Sequence, residues 1–129
     1  MSNITPIKPS HIRLHKDKDA LTVSFPEACY TFTAEFLRVN SPSAEVQGHG
    51  PHQKKCLGGK KMVTIQAIEP VGHYAIRLIF SDGHSTGIYT WDYFADMGEK
   101  QFDIWADYAK TLKEHGLHRE PEKRSAHEV

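Results

Sequence analysis

Three potential metal ligands lie close together in the middle of the chain, at His49, His52 and Cys56. Zinc and iron accept imidazole and thiolate ligands, and a loop can wrap around an ion where a strand cannot. A closed site needs a fourth ligand, and the nearby sequence supplies none. Two interpretations remain open, a metal-binding loop or a polar loop with solvated histidines, and we expect the second.

Two other sets of reactive side chains have simpler explanations. His15 and Asp17 have the spacing of two ligands in an iron site built from two histidines and a carboxylate, but they fall in a predicted turn. Cys29 could pair with a histidine as a nucleophile, yet its strand-like surroundings predict a buried, unreactive thiol. The sequence has no phosphate-binding glycine loop and no Gly-x-Ser-x-Gly motif. These patterns do not predict an enzyme.

The composition is typical of one soluble domain. Among the 129 residues, 16 basic and 16 acidic side chains give a formal net charge of zero. This balance argues against a nucleic-acid-binding protein that depends on overall positive charge. No segment reaches the roughly 18 apolar residues of a membrane span, and no secretion signal is recognisable. We therefore expect a cytoplasmic protein with free cysteines that contacts neither nucleic acid nor membrane.

Alternating apolar residues predict most of the strands. Two strands joined by a charged turn are predicted within residues 11–25, and three more between residues 62 and 90. Gly83 favours a tight hairpin between the last two of these strands. Thr33 is suited to begin a short helix, and the glycines and prolines of residues 39–60 predict a long loop.

Two helices are predicted near the C-terminal end. Thr90 and Gly98 bound a short one. The helix over residues 100–116 has apolar side chains at spacings of three and four, and this face is expected to pack on the sheet. It comprises Phe102, Trp105, Ala109 and Leu112.

The predicted fold class is α+β. A mostly antiparallel sheet, formed by the N-terminal hairpin and the three-strand meander, packs against the C-terminal helix. The predicted domain spans residues 10–116. Residues 1–9 are expected to form a flexible N-terminus and residues 117–129 a polar, disordered tail.

Two stretches, LRVNSPSAEVQGHG at 37–50 and YAIRLIFSDGHSTGIYTWDYF at 74–94, carry a family resemblance. Together with the paired strands at the start, they resemble the gamma-butyrobetaine hydroxylase N-terminal-like domain family. This domain, formerly one of unknown function, occurs alone in bacteria, at the front of carnitine-synthesis dioxygenases, and fused to iron–sulfur carrier ATPases. The resemblance covers about residues 10–110 and implies a stand-alone bacterial member.

The resemblance implies that a metal site has changed. In the eukaryotic hydroxylases, three cysteines and a later histidine of this domain hold a structural zinc. The cysteine positions fall here on Ser41, Ser43 and Val46, and the histidine falls on His84. Serine and valine do not replace thiolates, so the family's zinc site cannot form in this chain. A rebuilt zinc or iron site would combine the remaining histidine with the loop ligands His49, His52 and Cys56.

Three functions stay open at this stage. We expect a non-catalytic binding or adaptor domain with a protein partner and no cofactor, acting near the metal-dependent or iron–sulfur machinery that the family's fusions imply. The second possibility is a metal-binding protein that uses the four ligands just named. The third is a small enzyme with a pocket near His84 and Trp91. The dioxygenase's catalytic jelly-roll is absent from this sequence, so the resemblance carries no oxygenase activity to it.

Overall fold

The computed structural model describes residues 8–48 and 54–121, which form two three-stranded antiparallel sheets and four helices. The first sheet contains β1 (His11–Leu14), β2 (Ala20–Ser24) and β3 (Cys29–Thr33). The second contains β4 (Ile65–Val71), β5 (Ala75–Phe80) and β6 (Ile88–Thr90). Each strand pairs with the next along the chain, so both sheets are meanders. The predicted α+β class is confirmed.

The helices follow the strands directly. They are α1 (Ala34–Val39), α2 (Ala44–Gln47), α3 (Trp91–Glu99) and α4 (Gln101–Glu114). A hydroxyl group caps each of the first three by accepting a backbone hydrogen bond in the first turn, as Thr33, Ser43 and Thr90 do. These caps fix where the chain changes from extended to helical backbone.

One aromatic core joins the two sheets to the helices. Phe32 of β3 lies between Phe36 and Phe94, with ring centroids 5.6 and 5.8 Å away. Leu21 and Leu78, from different sheets, are fully buried in the same cluster. The first hairpin also touches the second sheet, because the carbonyl of Lys18 accepts a hydrogen bond from the Ile65 N–H.

Several local expectations were wrong. A third strand, β3, joins the predicted N-terminal hairpin, and α2 interrupts the predicted loop of residues 39–60. Gly83 has the expected positive φ of 93°. The predicted tight turn is present, because the Gly83 N–H donates to the Phe80 carbonyl at 3.0 Å and the Phe80 N–H donates to the His84 carbonyl at 2.9 Å. The strand β6 begins only at Ile88, so residues 85–87 separate this turn from the paired strand. Side chains of residues 81–87, described below, contact α1 and α2 rather than only closing a turn.

The packing face of α4 differs from the predicted one. Phe102 is 86% exposed and Ala109 is also exposed, whereas Tyr108 and Leu112 are buried and Trp105 is half-buried. The Tyr108 hydroxyl donates to the carbonyl of Leu57 at 2.5 Å, which turns this side of the helix inward. The helix does turn side chains at spacings of three and four inward, but the inward set is Trp105, Tyr108 and Leu112 and excludes Phe102 and Ala109.

Residues 117–120 lie against residues 58–61, although the sequence placed them in a disordered tail. The N–H groups of Gly59 and Lys61 donate to the carbonyls of His118 and Arg119, at 2.8 and 3.0 Å. Residues 122–129, and residues 1–7 at the other end, lie outside the described part of the chain. Within residues 8–48 and 54–121, none of the helices has the length and apolar character needed to cross a membrane.

Candidate functional site

The segment between α1 and α2 meets the β5–β6 connection at His84. The Ser41 hydroxyl oxygen lies 2.9 Å from Nε2 of His84, and Oε1 of Glu45 lies 3.2 Å from Nδ1. The N–H of Ser43 donates to the Ser41 hydroxyl at 3.2 Å. All these contacts are satisfied together when Ser41 donates to Nε2 and Nδ1–H donates to Glu45, a tautomer assigned from the hydrogen bonds.

A glycine allows the two segments to approach this closely. A Cβ atom added to Gly87 would lie 2.3 Å from the Ser41 hydroxyl oxygen, which is closer than any non-bonded contact allows. Beside it, the hydroxyls of Ser43 and Thr86 are hydrogen-bonded at 2.8 Å. Ser43 is also the N-cap of α2, which carries the buried Val46. The positions at which the resemblance implied zinc ligands, Ser41, Ser43, Val46 and His84, thus lie on two segments joined here by hydrogen bonds.

The Ser41, His84 and Glu45 side chains follow the order of a serine hydrolase triad, but their surroundings favour a structural role. A nucleophilic serine must be reachable by its substrate. Ser41 is 0% exposed and His84 is 7% exposed, whereas the Glu45 side chain is mostly exposed. The cluster therefore fastens α2 to the β5–β6 connection and offers no path for a substrate to Ser41.

The electrostatic surroundings keep His84 neutral. Burial lowers the pKa of His84, and the nearby Arg38 guanidinium lowers it further, which outweighs the opposite influence of Glu45 and Asp82. Burial alone would raise the pKa of Asp82. Hydrogen bonds from Lys60, the His84 N–H and Arg38 outweigh that effect and lower it to about 2.

Asp82 is the charged centre beside this cluster. Its Oδ2 accepts from Arg38 Nε at 2.8 Å and from Lys60 Nζ at 2.6 Å. Nη1 of Arg38 is buried and has no hydrogen-bond partner among the described residues. The Asp82 carboxylate therefore supplies the counter-charge that makes burial of Arg38 tolerable.

The predicted metal ligands are only partly covered by the structure. His49 and His52 lie outside the described residues. Cys56 lines a cavity with Lys54 and Tyr108, and burial raises the pKa of its thiol. His84 instead uses both ring nitrogens for hydrogen bonds to other residues. Across residues 8–48 and 54–121, no three His, Cys, Asp or Glu side chains are grouped so as to hold a metal ion.

The remaining candidates are engaged in local contacts. His15 Nε2 lies 2.8 Å from the Thr22 hydroxyl. Cys29 is exposed, so the expectation of a buried thiol was wrong, because Cys29 begins the edge strand β3. The Trp91 indole donates to the His73 carbonyl at 2.8 Å. Five cavities of about 300–330 Å³ occur in the described part of the chain, and their lining residues do not include His84 or Trp91.

A groove that the sequence pattern does not predict lies between the β2–β3 turn and α3. This groove, about 330 Å³ in volume, is lined by Phe25, Pro26, Glu27, Ala28, Tyr30, Ala95 and Glu99. The Tyr30 ring lies flat against Gly98, where an added Cβ would come within 2.4 Å of it. Glu27 and Glu99 are exposed at the groove and form no ion pair with another described residue. The groove thus combines apolar walls with two exposed carboxylates.

The fold is that of a small α+β domain in which Ser41, His84 and Glu45 form one hydrogen-bonded cluster. The chain belongs to the Gamma-butyrobetaine hydroxylase-like, N-terminal family, whose model matches residues 12–95. No curated protein matches the sequence.

Solved structures support the same membership. One NMR solution structure is 44% identical, with a TM-score of 0.78, over 93% of this chain and 95% of that chain. A second is 40% identical, with a TM-score of 0.76, over 96% of each chain. A crystal structure from Acidithiobacillus ferrooxidans, described as a protein of unknown function in the DUF971 family, is 35% identical with a TM-score of 0.59. It covers 70% of this chain and 92% of that chain. The family resemblance predicted from the sequence is confirmed.

Proposed function

We propose that this domain is a non-catalytic adaptor that binds a protein partner close to metal-dependent or iron–sulfur machinery in a reducing cytosol. The association with such machinery rests on the family's domain fusions, which join it to an iron oxygenase and to an iron–sulfur carrier. The free thiols of Cys29 and Cys56 are compatible with that compartment.

The groove between the β2–β3 turn and α3 is the observation that carries the proposal. Its walls include Phe25, Tyr30 and Ala95, which suit an apolar side chain of a partner. Glu27 and Glu99 at the groove suit a lysine or arginine next to that side chain. The partner surface we propose is therefore apolar with flanking positive charge.

A metal-free protein is part of the same proposal. Both ring nitrogens of His84 are used by Ser41 and Glu45, so a metal would have to displace existing hydrogen bonds. The alternative, a zinc or iron site formed by His84 with the loop ligands, has no supporting contact among the described residues. A small enzyme with a pocket near His84 and Trp91 lacks support from the cavities described above.

Matched charge insertions test the groove. Ala95→Arg places a bulky cation within the groove, whereas Ala106→Arg places the same side chain on an exposed face of α4. Partners are captured from native-host extract with each variant and quantified by mass spectrometry. We expect one or more proteins to bind wild type and Ala106→Arg alike, and the captured amount to fall about tenfold or more with Ala95→Arg. Equal capture by all three chains would contradict the groove as the binding surface.

A further inference from the structure

A second recognition feature lies where α1 meets α4. Glu35 of α1 is only 4% exposed, and a buried carboxylate requires a compensating cation. Arg119, 84 positions further along the chain, provides this cation. Its Nη2 donates to Oε1 of Glu35 at 2.8 Å, and its Nε donates to Oε2 at 3.0 Å. Two parallel bonds of this kind match the planar guanidinium, which lysine cannot reproduce.

An aromatic wall completes the site. The guanidinium carbon of Arg119 lies 5.1 Å from the ring centroid of Trp105, within the range of a cation–π contact. Trp105 is itself held between Phe36 and Tyr108, with ring centroids 6.3 and 5.2 Å away. The carboxylate and the aromatic plane therefore belong to the body of the domain, and only the cation comes from the C-terminal segment.

The site is open to solvent on one side. A cavity of about 310 Å³ adjoins it, lined by Thr33, Glu35, Phe36, Gln101, Trp105 and Arg119. The Arg119 side chain is 40% exposed despite its two bonds to Glu35. Two backbone hydrogen bonds, donated by the N–H groups of Gly59 and Lys61, hold this segment.

We infer that Glu35 and Trp105 form a binding site for an alkylguanidinium group, occupied by the chain's own Arg119, which an arginine of a protein partner takes over. The identity of the partner rests on the proposed adaptor function, while the site itself does not. An attached arginine competes at an effective concentration of about millimolar, so the partner's arginine needs neighbouring contacts to displace it. Removing Arg119 removes that competition.

Titration with N-acetyl-arginine amide tests the site without any partner. The Trp105 indole N–H is followed by NMR in the full chain at constant ionic strength. We expect saturable shifts in Arg119→Ala, with affinity about tenfold or more above wild type. N-acetyl-lysine amide should bind several times more weakly, since it cannot form both bonds to Glu35. Arg119→Ala combined with Glu35→Gln should lose the response.

Equal responses in wild type and Arg119→Ala, or a response that survives Glu35→Gln, would overturn the inference. If Arg119→Ala does not fold, Arg119→Lys is used instead, because it keeps a cation beside Glu35. The arginine probe should then displace the lysine side chain, with an affinity between those of wild type and Arg119→Ala. No displacement there would also overturn the site. Groove variants such as Ala95→Arg should leave this titration unchanged, so failure of the adaptor function and failure of the guanidinium site give different results.

Discussion

The cluster around His84 and the groove beside Ala95 differ in how far their polar groups are exposed to solvent. In the cluster, Ser41 and His84 are buried and hydrogen-bonded within the domain. In the groove, Glu27 and Glu99 reach solvent beside apolar walls. Buried, satisfied polar groups specify a fold, whereas exposed charge next to apolar surface is available to a partner. The cluster around His84 therefore has a structural role, whereas the groove is the surface that we propose for partner binding.

Removing the Asp82 carboxylate is the strongest challenge to the closed cluster. Asp82→Asn leaves the guanidinium of Arg38 buried without its counter-charge. We expect the free energy of unfolding to fall by about 2–4 kcal/mol, measured by urea denaturation. Asp17→Asn, at an exposed position in the β1–β2 turn, is the matched control and should change it by less than about 0.5 kcal/mol. Similar small effects for both would mean that the ion pairs contribute little.

The close approach at Gly87 can be tested separately. Gly87→Ala forces a methyl group against the Ser41 hydroxyl, and we expect a loss of about 1–3 kcal/mol in unfolding free energy. Part of this loss should disappear in the background of Ser41→Ala, which lacks that oxygen. A double-mutant cycle measures the coupling. Additive effects would show that the two residues do not meet as described.

The lowered pKa of His84 predicts a smaller, pH-dependent effect. The unfolded chain binds a proton to this residue below about pH 6.5, whereas the folded chain resists protonation until lower pH. The stabilisation is therefore present above pH 6.5 and is lost as the pH falls towards the lowered pKa. Unfolding free energy should be smaller at pH 5 than at pH 7, and His84→Gln should flatten the difference. A parallel profile in the variant would assign the pH dependence to other groups.

Chelation should have the smallest effect. A cluster held by hydrogen bonds needs no ion, so the melting temperature of untagged protein should be the same with and without EDTA. Elemental analysis of the same sample checks the starting state. One tightly held zinc or iron per chain, with a large loss of stability in EDTA, would instead favour the rebuilt site of His84, His49, His52 and Cys56.

The sequence predicted features that depend on local pattern and on family likeness. Alternation identified β2 and β5, a capping threonine identified the start of α1, and the resemblance singled out His84 with Ser41. The inward face of α4 could not be predicted, because Phe102 and Tyr108 both fit helical spacings and only contacts with residues 54–57 decide between them. The groove could not be predicted for a similar reason. Its walls come from residues 25–30 and 95–99, which approach each other only in the folded chain.

The long separation between Glu35 and Arg119 has a kinetic consequence. Both sheets are meanders built from neighbouring segments, so each can form early with a small loss of chain entropy. The contact between Glu35 and Arg119 closes a loop that includes the entire second sheet, and we expect it to form last. The same contact should open first in the native state, so the amide hydrogens of Gly59 and Lys61 should exchange with solvent well before those of β2 and β5. A ribosome-bound chain would carry an uncompensated Glu35 until residue 119 has emerged.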